Sequence, residues 1–221
     1  MSTRDVWEWC YGKPFTTNCE SVHQDWWRTI VQYYGEPHRH YHTMTHIESM
    51  LNLWNRNWNS LQEPCLVALG IFFHDIIYDV KASDNEDKSA DLWVDYAKDV
   101  GIEEESIAKV REWIIMTKEH STDAHRTEGI YGSEDLHYLL DMDMSVLGMK
   151  PKEYDMYARN IRSEYEHIPV STYCTGRAKI LQSFIQIENI YSTKTFRELY
   201  EEEARRNLER EIGALIQGNL L

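Results

Sequence analysis

Apolar residues recur at spacings of three and four along almost the whole chain, and no alternating run is closed by an Asn-Gly or Asp-Gly turn. This pattern predicts an all-α fold with helices over 20–34, 44–61, 64–79, 85–99, 103–118, 133–147, 151–166, 172–191 and 194–217. Glycine and proline agree with it: Gly101 follows one predicted helix, Pro151 suits a first helical turn, and Pro169 separates two more. The last helix is amphipathic. Phe196, Leu199, Leu208, Ile212 and Leu215 share one side, while Glu201 with Arg205 and Glu202 with Arg206 pair at i, i+4 on the other.

The predicted helix 64–79 departs from that amphipathic pattern. From Cys65 to Ile77 it is apolar on nearly every face, and His74 and Asp75 are its only imidazole and carboxylate, so it reads as a buried helix. A buried carboxylate beside an imidazole needs compensation by an ion pair, dense hydrogen bonding or a bound metal ion. Upstream, His38, His40, His42 and His46 place four of the ten histidines within nine residues. His42 and His46 share a face if the helix begins at or before His42. If Thr43 or Thr45 caps it, His42 sits on the entering loop above His46. Either arrangement lets one bind a metal while the other stands beside what the metal holds. His38 and His40, on a polar loop, read as solvent-exposed.

Imidazole and carboxylate ligands together suit Mn, Fe, Co, Ni or Zn, and two histidines with one aspartate leave such a site one ligand short. The apolar run from Leu139 to Gly148 supplies Asp141 and Asp143. Residues two apart on a helix point in different directions. Asp143, between Leu140 and Leu147 on the apolar face, is therefore the expected ligand, with Asp141 left to cap, orient or pair.

In order along the chain, His46, His74-Asp75 and Asp143 resemble the signature of the HD superfamily of metal-dependent phosphohydrolases. Tyr41-His42-Thr-Met-Thr-His46 is similar to the Tyr-His-x-x-x-His segment of cyclic-nucleotide phosphodiesterases. That resemblance makes His46 a ligand and His42 the general acid. A closer likeness, over about residues 30–190, is to a small bacterial-type HD family of predicted phosphohydrolases. It is carried by residues 37–42, 72–79, 84–90, 117–120, 141–148 and 161–165. It implies a helical HD-type domain holding one divalent transition metal ion that activates water against a phosphate ester, of a nucleotide or a related small metabolite. Asp79 would orient the attacking water or a ligand histidine. Asn85 and Glu86 are implied as pocket residues, although Asp84 to Asp87 also reads as a helix N-terminus with acids at its positive end.

Composition sets the limits. With 221 residues, 42% hydrophobic and 27% charged, the chain is expected to form one globular domain over 1–221. The formal charge of −14 argues against stable DNA or membrane-surface binding. A phosphorylated substrate then needs local cations, for which Arg39, Lys118 and Arg177 are the candidates, with His120 close to Lys118. Arg39 sits within the histidine cluster, whereas Lys118 and Arg177 continue apolar stripes and can alternatively end them. Four scattered cysteines, Cys10, Cys19, Cys65 and Cys174, read as reduced thiols. With no apolar leader at the N-terminus and no apolar run near the roughly 18 residues of a membrane span, a cytoplasmic location is expected, with a homodimer as the general expectation for assembly. Two other functions fit the same residues. One is a di-iron oxygenase that draws further ligands from His120, His125 and His137. The other is a non-catalytic, metal-stabilised module with Trp7, Trp9, Trp26 and Trp27 as its partner surface.

Overall fold

Local chemistry decides where each helix ends. The computed structural model describes residues 1–11 and 20–221; Cys19 lies outside the described residues. The fold is all-α, and among the described residues the only strand-like pairing is an isolated bridge between Gly132 and Thr193. The helices are α1 (Thr3–Cys10), α2 (Glu20–Tyr34), α3 (Met44–Arg56), α4 (Pro64–Phe73), α5 (Asn85–Asp99) and α6 (Glu104–Met116). They continue with α7 (Asp123–Arg126), α8 (Asp135–Met144), α9 (Pro151–Glu164), α10 (Val170–Gln186), α11 (Lys194–Phe196) and α12 (Glu202–Ile216). The short helices α1 and α7 were not foreseen. No helix among the described residues is long and apolar enough to cross a membrane.

The chain forms two compact units. The first comprises Met1–His120 with Glu134–Leu139, and the second Ser121–Ser133 with Leu140–Leu221. In the first, α4 is the central element: Leu66 to Phe73 are all buried, and α4 packs against α1, α3, α5 and α6. Its start is capped from elsewhere in the sequence. Glu63 makes no side-chain cap; instead the buried Asp135 carboxylate accepts the N–H groups of Gln62 (2.8 Å) and Glu63 (2.7 Å). Around it lies an aromatic cluster in which Trp7, fully buried, stacks on His23 at 4.2 Å and meets Phe72 edge-on. Trp26 and Trp27 pack on Phe73 and Phe72. The expected partner surface is corrected to this extent: Trp7 is core, because its ring is enclosed by His23, Trp27, Phe72, Phe73 and Tyr96 and its indole N–H reaches the His23 carbonyl.

The predicted helix 64–79 is also too long, since α4 stops at Phe73. His74 still donates to Gly70 O at 2.9 Å, but Ile76 N–H turns back to Phe73 O. The carbonyls of Asp75 and Ile76, which a continuing helix would bond to later N–H groups, are taken by the Arg39 guanidinium at 2.7 and 2.8 Å. The predicted 44–61 ends at Arg56, where the Asn57 amide bonds Leu53 O and a 3₁₀ turn, Trp58–Ser60, follows. Gly101, at φ 75, closes α5 as expected, with Ile102 N–H on Ala97 O at 2.8 Å.

In the second unit α10 packs against α12, and both α9 and α12 meet the 3₁₀ turn Ser145–Gly148. The predicted 172–191 runs instead from Val170 to Gln186, and Arg205 collects the carbonyls of Ile185, Ile187 and Glu188. The final helix contains a π segment, Arg197–Glu201. Its wider turn shifts the phase, so Leu199 is 65% exposed while Phe196, Leu208, Ile212 and Leu215 stay buried. Gly148 is required beside it: a Cβ there would lie 2.5 Å from Tyr200 Cβ and 2.9 Å from its Cα. The Glu201–Arg205 and Glu202–Arg206 pairs form as expected, at 2.8 and 2.6 Å.

Candidate metal centre

Thr43 is the N-cap of α3, its hydroxyl accepting Thr45 N–H. His42 therefore sits on the entering loop and His46 lies one turn inside the helix. His74 is the C-cap of α4, and Asp75 follows in the turn. Arg39 fixes the two segments to each other. Its side chain is fully buried, and it donates to His42 O (3.2 Å), Asp75 O, Ile76 O and Glu36 Oε2 (3.1 Å). His38 Nε2 adds a bond to Tyr78 O at 2.8 Å.

This scaffold brings His46, His74 and Asp75 together, with one potential ligand atom from each, all within 4.8 Å of one another. His46 Nε2 is 3.3 Å from His74 Nε2, which is 3.2 Å from Asp75 Oδ2. Ligands held about 2.0–2.2 Å from a shared ion lie roughly 2.9–3.6 Å apart for angles between octahedral and tetrahedral. Both separations fall in that range. The tautomer agrees as well: His74 Nδ1 is 2.8 Å from Ile71 O, so in the neutral ring the proton is on Nδ1 and the Nε2 lone pair faces the group. His46 and His74 are 4% and 1% exposed, so bulk water does little to offset this convergence of acceptors. The group can hold a metal ion.

His42 lies beside this group as expected, its Nε2 3.9 Å from Asp75 Oδ2. Its ring rests 4.2 Å from the Tyr78 ring and 4.9 Å, edge-on, from Tyr41. His38 and His40 are exposed, as expected. Asp143 belongs to the second unit, where its charge reaches the buried Tyr157 hydroxyl. His46, His74 and Asp75 all belong to the first.

Several expected roles need correction. Arg39 is not a phosphate-binding cation, because carbonyls and Glu36 occupy its guanidinium. Arg177 is likewise engaged: it donates to Glu211 Oε1 at 3.0 Å and to Tyr157 OH at 3.2 Å, and Tyr154 OH donates to the other Glu211 oxygen. Asp79 is exposed and bonds no histidine. Its carboxylate accepts Lys81 N–H, and its backbone exchanges hydrogen bonds with the Asn85 amide at 2.9 and 3.0 Å, so Asn85 is a loop clasp. Glu86 occupies the first turn of α5, at its positive end. Lys118 bonds Ser83 O and Asp87 but keeps a side chain that is 45% exposed.

His120 ends α6 in the left-handed region at φ 47, where glycine is usual, with its N–H on Met116 O. The Nδ1 atoms of His125 and His137 accept the N–H groups of Thr122 and Glu134 as local caps. Asp141 caps as anticipated. Fully buried, it accepts Ser192 N–H (2.7 Å), Ser192 Oγ–H (2.9 Å) and Thr193 N–H (2.8 Å), while burial pushes its pKa up to about 6 against those bonds. Arg39 as a tether and Asp135 as a remote cap were missed, because the backbone groups they bind lie far away in the sequence.

No protein-family model, curated protein or solved structure matches this chain. What the site can do is therefore read from its own geometry.

Proposed function

We propose that this chain is a metal-dependent phosphohydrolase of the HD type, acting on a phosphate ester of a nucleotide or related small metabolite. The observation that carries the reading is the convergence of His46 Nε2, His74 Nε2 and Asp75 Oδ2, with His42 at its edge. A bound Mn, Fe, Co, Ni or Zn ion would supply an activated water and polarise a phosphoryl oxygen. His46, His74 and Asp75 hold that ion. Arg39 keeps the loop and the turn that carry them in register, and the Ile71 carbonyl keeps the His74 ring in the binding tautomer. His42 protonates the leaving oxygen, a task suited to an imidazole near neutral pH. Tyr41 and Tyr78 flank its ring and restrict its orientation. Of the three expected phosphate-binding cations, Lys118 alone keeps a largely exposed side chain, and it retains that role in this reading.

The test is a product screen on the chain loaded with each of these metals, over mononucleotides, triphosphates, cyclic nucleotides and dinucleotides. Turnover by the native chain that Asp75→Ala abolishes is the expected result. A loaded site that releases no product from any of them overturns the reading.

A further inference from the structure

On the first unit, α1 and α4 bring two cysteines face to face. Cys10 ends α1 and Cys65 opens α4; the Cys10 thiol lies 3.8 Å from the Cys65 carbonyl oxygen, and the Cys65 thiol 3.6 Å from the Cys10 carbonyl oxygen. Both are thiols in this structure. Each sulfur thus lies against the other residue's backbone, which makes the two cysteines direct neighbours where α1 packs on α4. The two thiols differ in access. Cys10 is buried, whereas Cys65 is partly exposed and lines a cavity of about 310 Å³ with Trp9, Trp58, Glu63, Pro64, Leu66 and Ser106; the Glu63 carboxylate there is paired with Lys109. Trp9 meets Trp58 edge-on at 4.9 Å, and Trp58 meets Trp54 in the same way. Trp9 and Trp58 build one wall of a cleft large enough for a small oxidant.

We propose that Cys65 is an oxidation site for hydroperoxides, with Cys10 as its resolving partner. In the first step the Cys65 sulfur attacks one peroxide oxygen. The O–O bond breaks, water (or the alcohol of an organic hydroperoxide) leaves, and Cys65 becomes a sulfenic acid. In the second step the Cys10 sulfur attacks the Cys65 sulfur, the S–O bond breaks and a second water leaves. Two thiols are thereby oxidised by two electrons and one peroxide is reduced. The resulting bond would span 55 residues and fasten α1, which carries Trp7 into the core, to the central helix. A dithiol reductant reverses it.

The test exposes the full-length chain to hydrogen peroxide, blocks remaining thiols by alkylation and maps the linked peptides by mass spectrometry. A Cys10–Cys65 linked peptide, removed by prior dithiothreitol, is the expected product. In Cys65→Ser that link is absent and Cys10 stays alkylatable. In Cys10→Ser the oxidised Cys65 persists and is captured by dimedone. A native chain in which Cys10 and Cys65 both remain alkylatable, or in which either links chiefly to Cys19 or Cys174, overturns the proposal without reference to the variants or to any hydrolase activity.

Discussion

The two units each bury a cluster of ionisable side chains, and the clusters are built on opposite principles. In the second unit Arg177, Glu211, Tyr154 and Tyr157 form a closed set in which the guanidinium meets a carboxylate and hydroxyls bond the members directly. Burial also pushes the Tyr157 hydroxyl up, so it stays neutral. In the first unit His46, His74 and Asp75 converge as acceptors, with the His74 proton committed to a backbone carbonyl on the far side of the ring. The closed set gains its stability from its own members, whereas the converging set can hold a cation. Burial alone does not distinguish structural from functional polar groups. The direction of the lone pairs does.

That contrast predicts which quantity each substitution moves. The largest effect is on chemistry: His42→Gln is expected to lower kcat about 10²–10⁴-fold while metal content per chain is unchanged. Steady-state kinetics alongside elemental analysis separates this from loss of the ion. Next comes Glu211→Ala, which leaves the Arg177 charge buried opposite a missing partner and should cost about 3–5 kcal/mol in urea unfolding. Metal binding by the fraction that remains folded should match that of the native chain.

A third prediction concerns His23, which burial lowers to about 4 from the ordinary 6.5. Its ring is stacked on Trp7 and bonded to Tyr96 OH and Trp7 O. Between pH 6.5 and 4 the unfolded chain binds a proton that the folded chain refuses. Stability therefore falls as the pH drops through this window, by up to ~3 kcal/mol once both states are protonated. His23→Gln should flatten this part of the stability profile, and an unchanged slope would contradict the assignment. The smallest effect belongs to Arg39→Met. As a tether for the metal-binding loop it should weaken metal affinity about 10–100-fold, whereas a phosphate-binding arginine would raise KM with metal affinity intact.

Of the four expected ligands, His46, His74 and Asp75 form a group that can hold a metal ion, while Asp143 belongs to the other unit. The His74-Asp75 pair stands out because an imidazole and a carboxylate inside an otherwise apolar run are costly enough to demand an explanation, and His46 because four histidines fall within nine residues. Spacing did not reveal that α4 ends before the His74-Asp75 pair, since the end is imposed by Arg39, 36 residues earlier in the chain. For the same reason Arg39 and Arg177 look in sequence like cations awaiting an anion, while in the fold each is occupied by partners distant along the chain. Periodicity gave the helices but not the π segment in the last one, where Tyr200 packs closely on Gly148 from a distant part of the chain. Asp141 was legible only as a choice between ligand and cap, and the Ser192 and Thr193 loop that makes it a cap lies 51 and 52 residues away.

Elemental analysis of the purified chain beside Asp75→Ala and His74→Ala tests the central claim most directly, with circular dichroism to confirm that all three are folded. The account predicts about one equivalent of a divalent transition metal in the native chain and loss of that metal in both variants with helicity retained. A folded native chain that takes up no metal, or variants that keep it in full, would contradict the account.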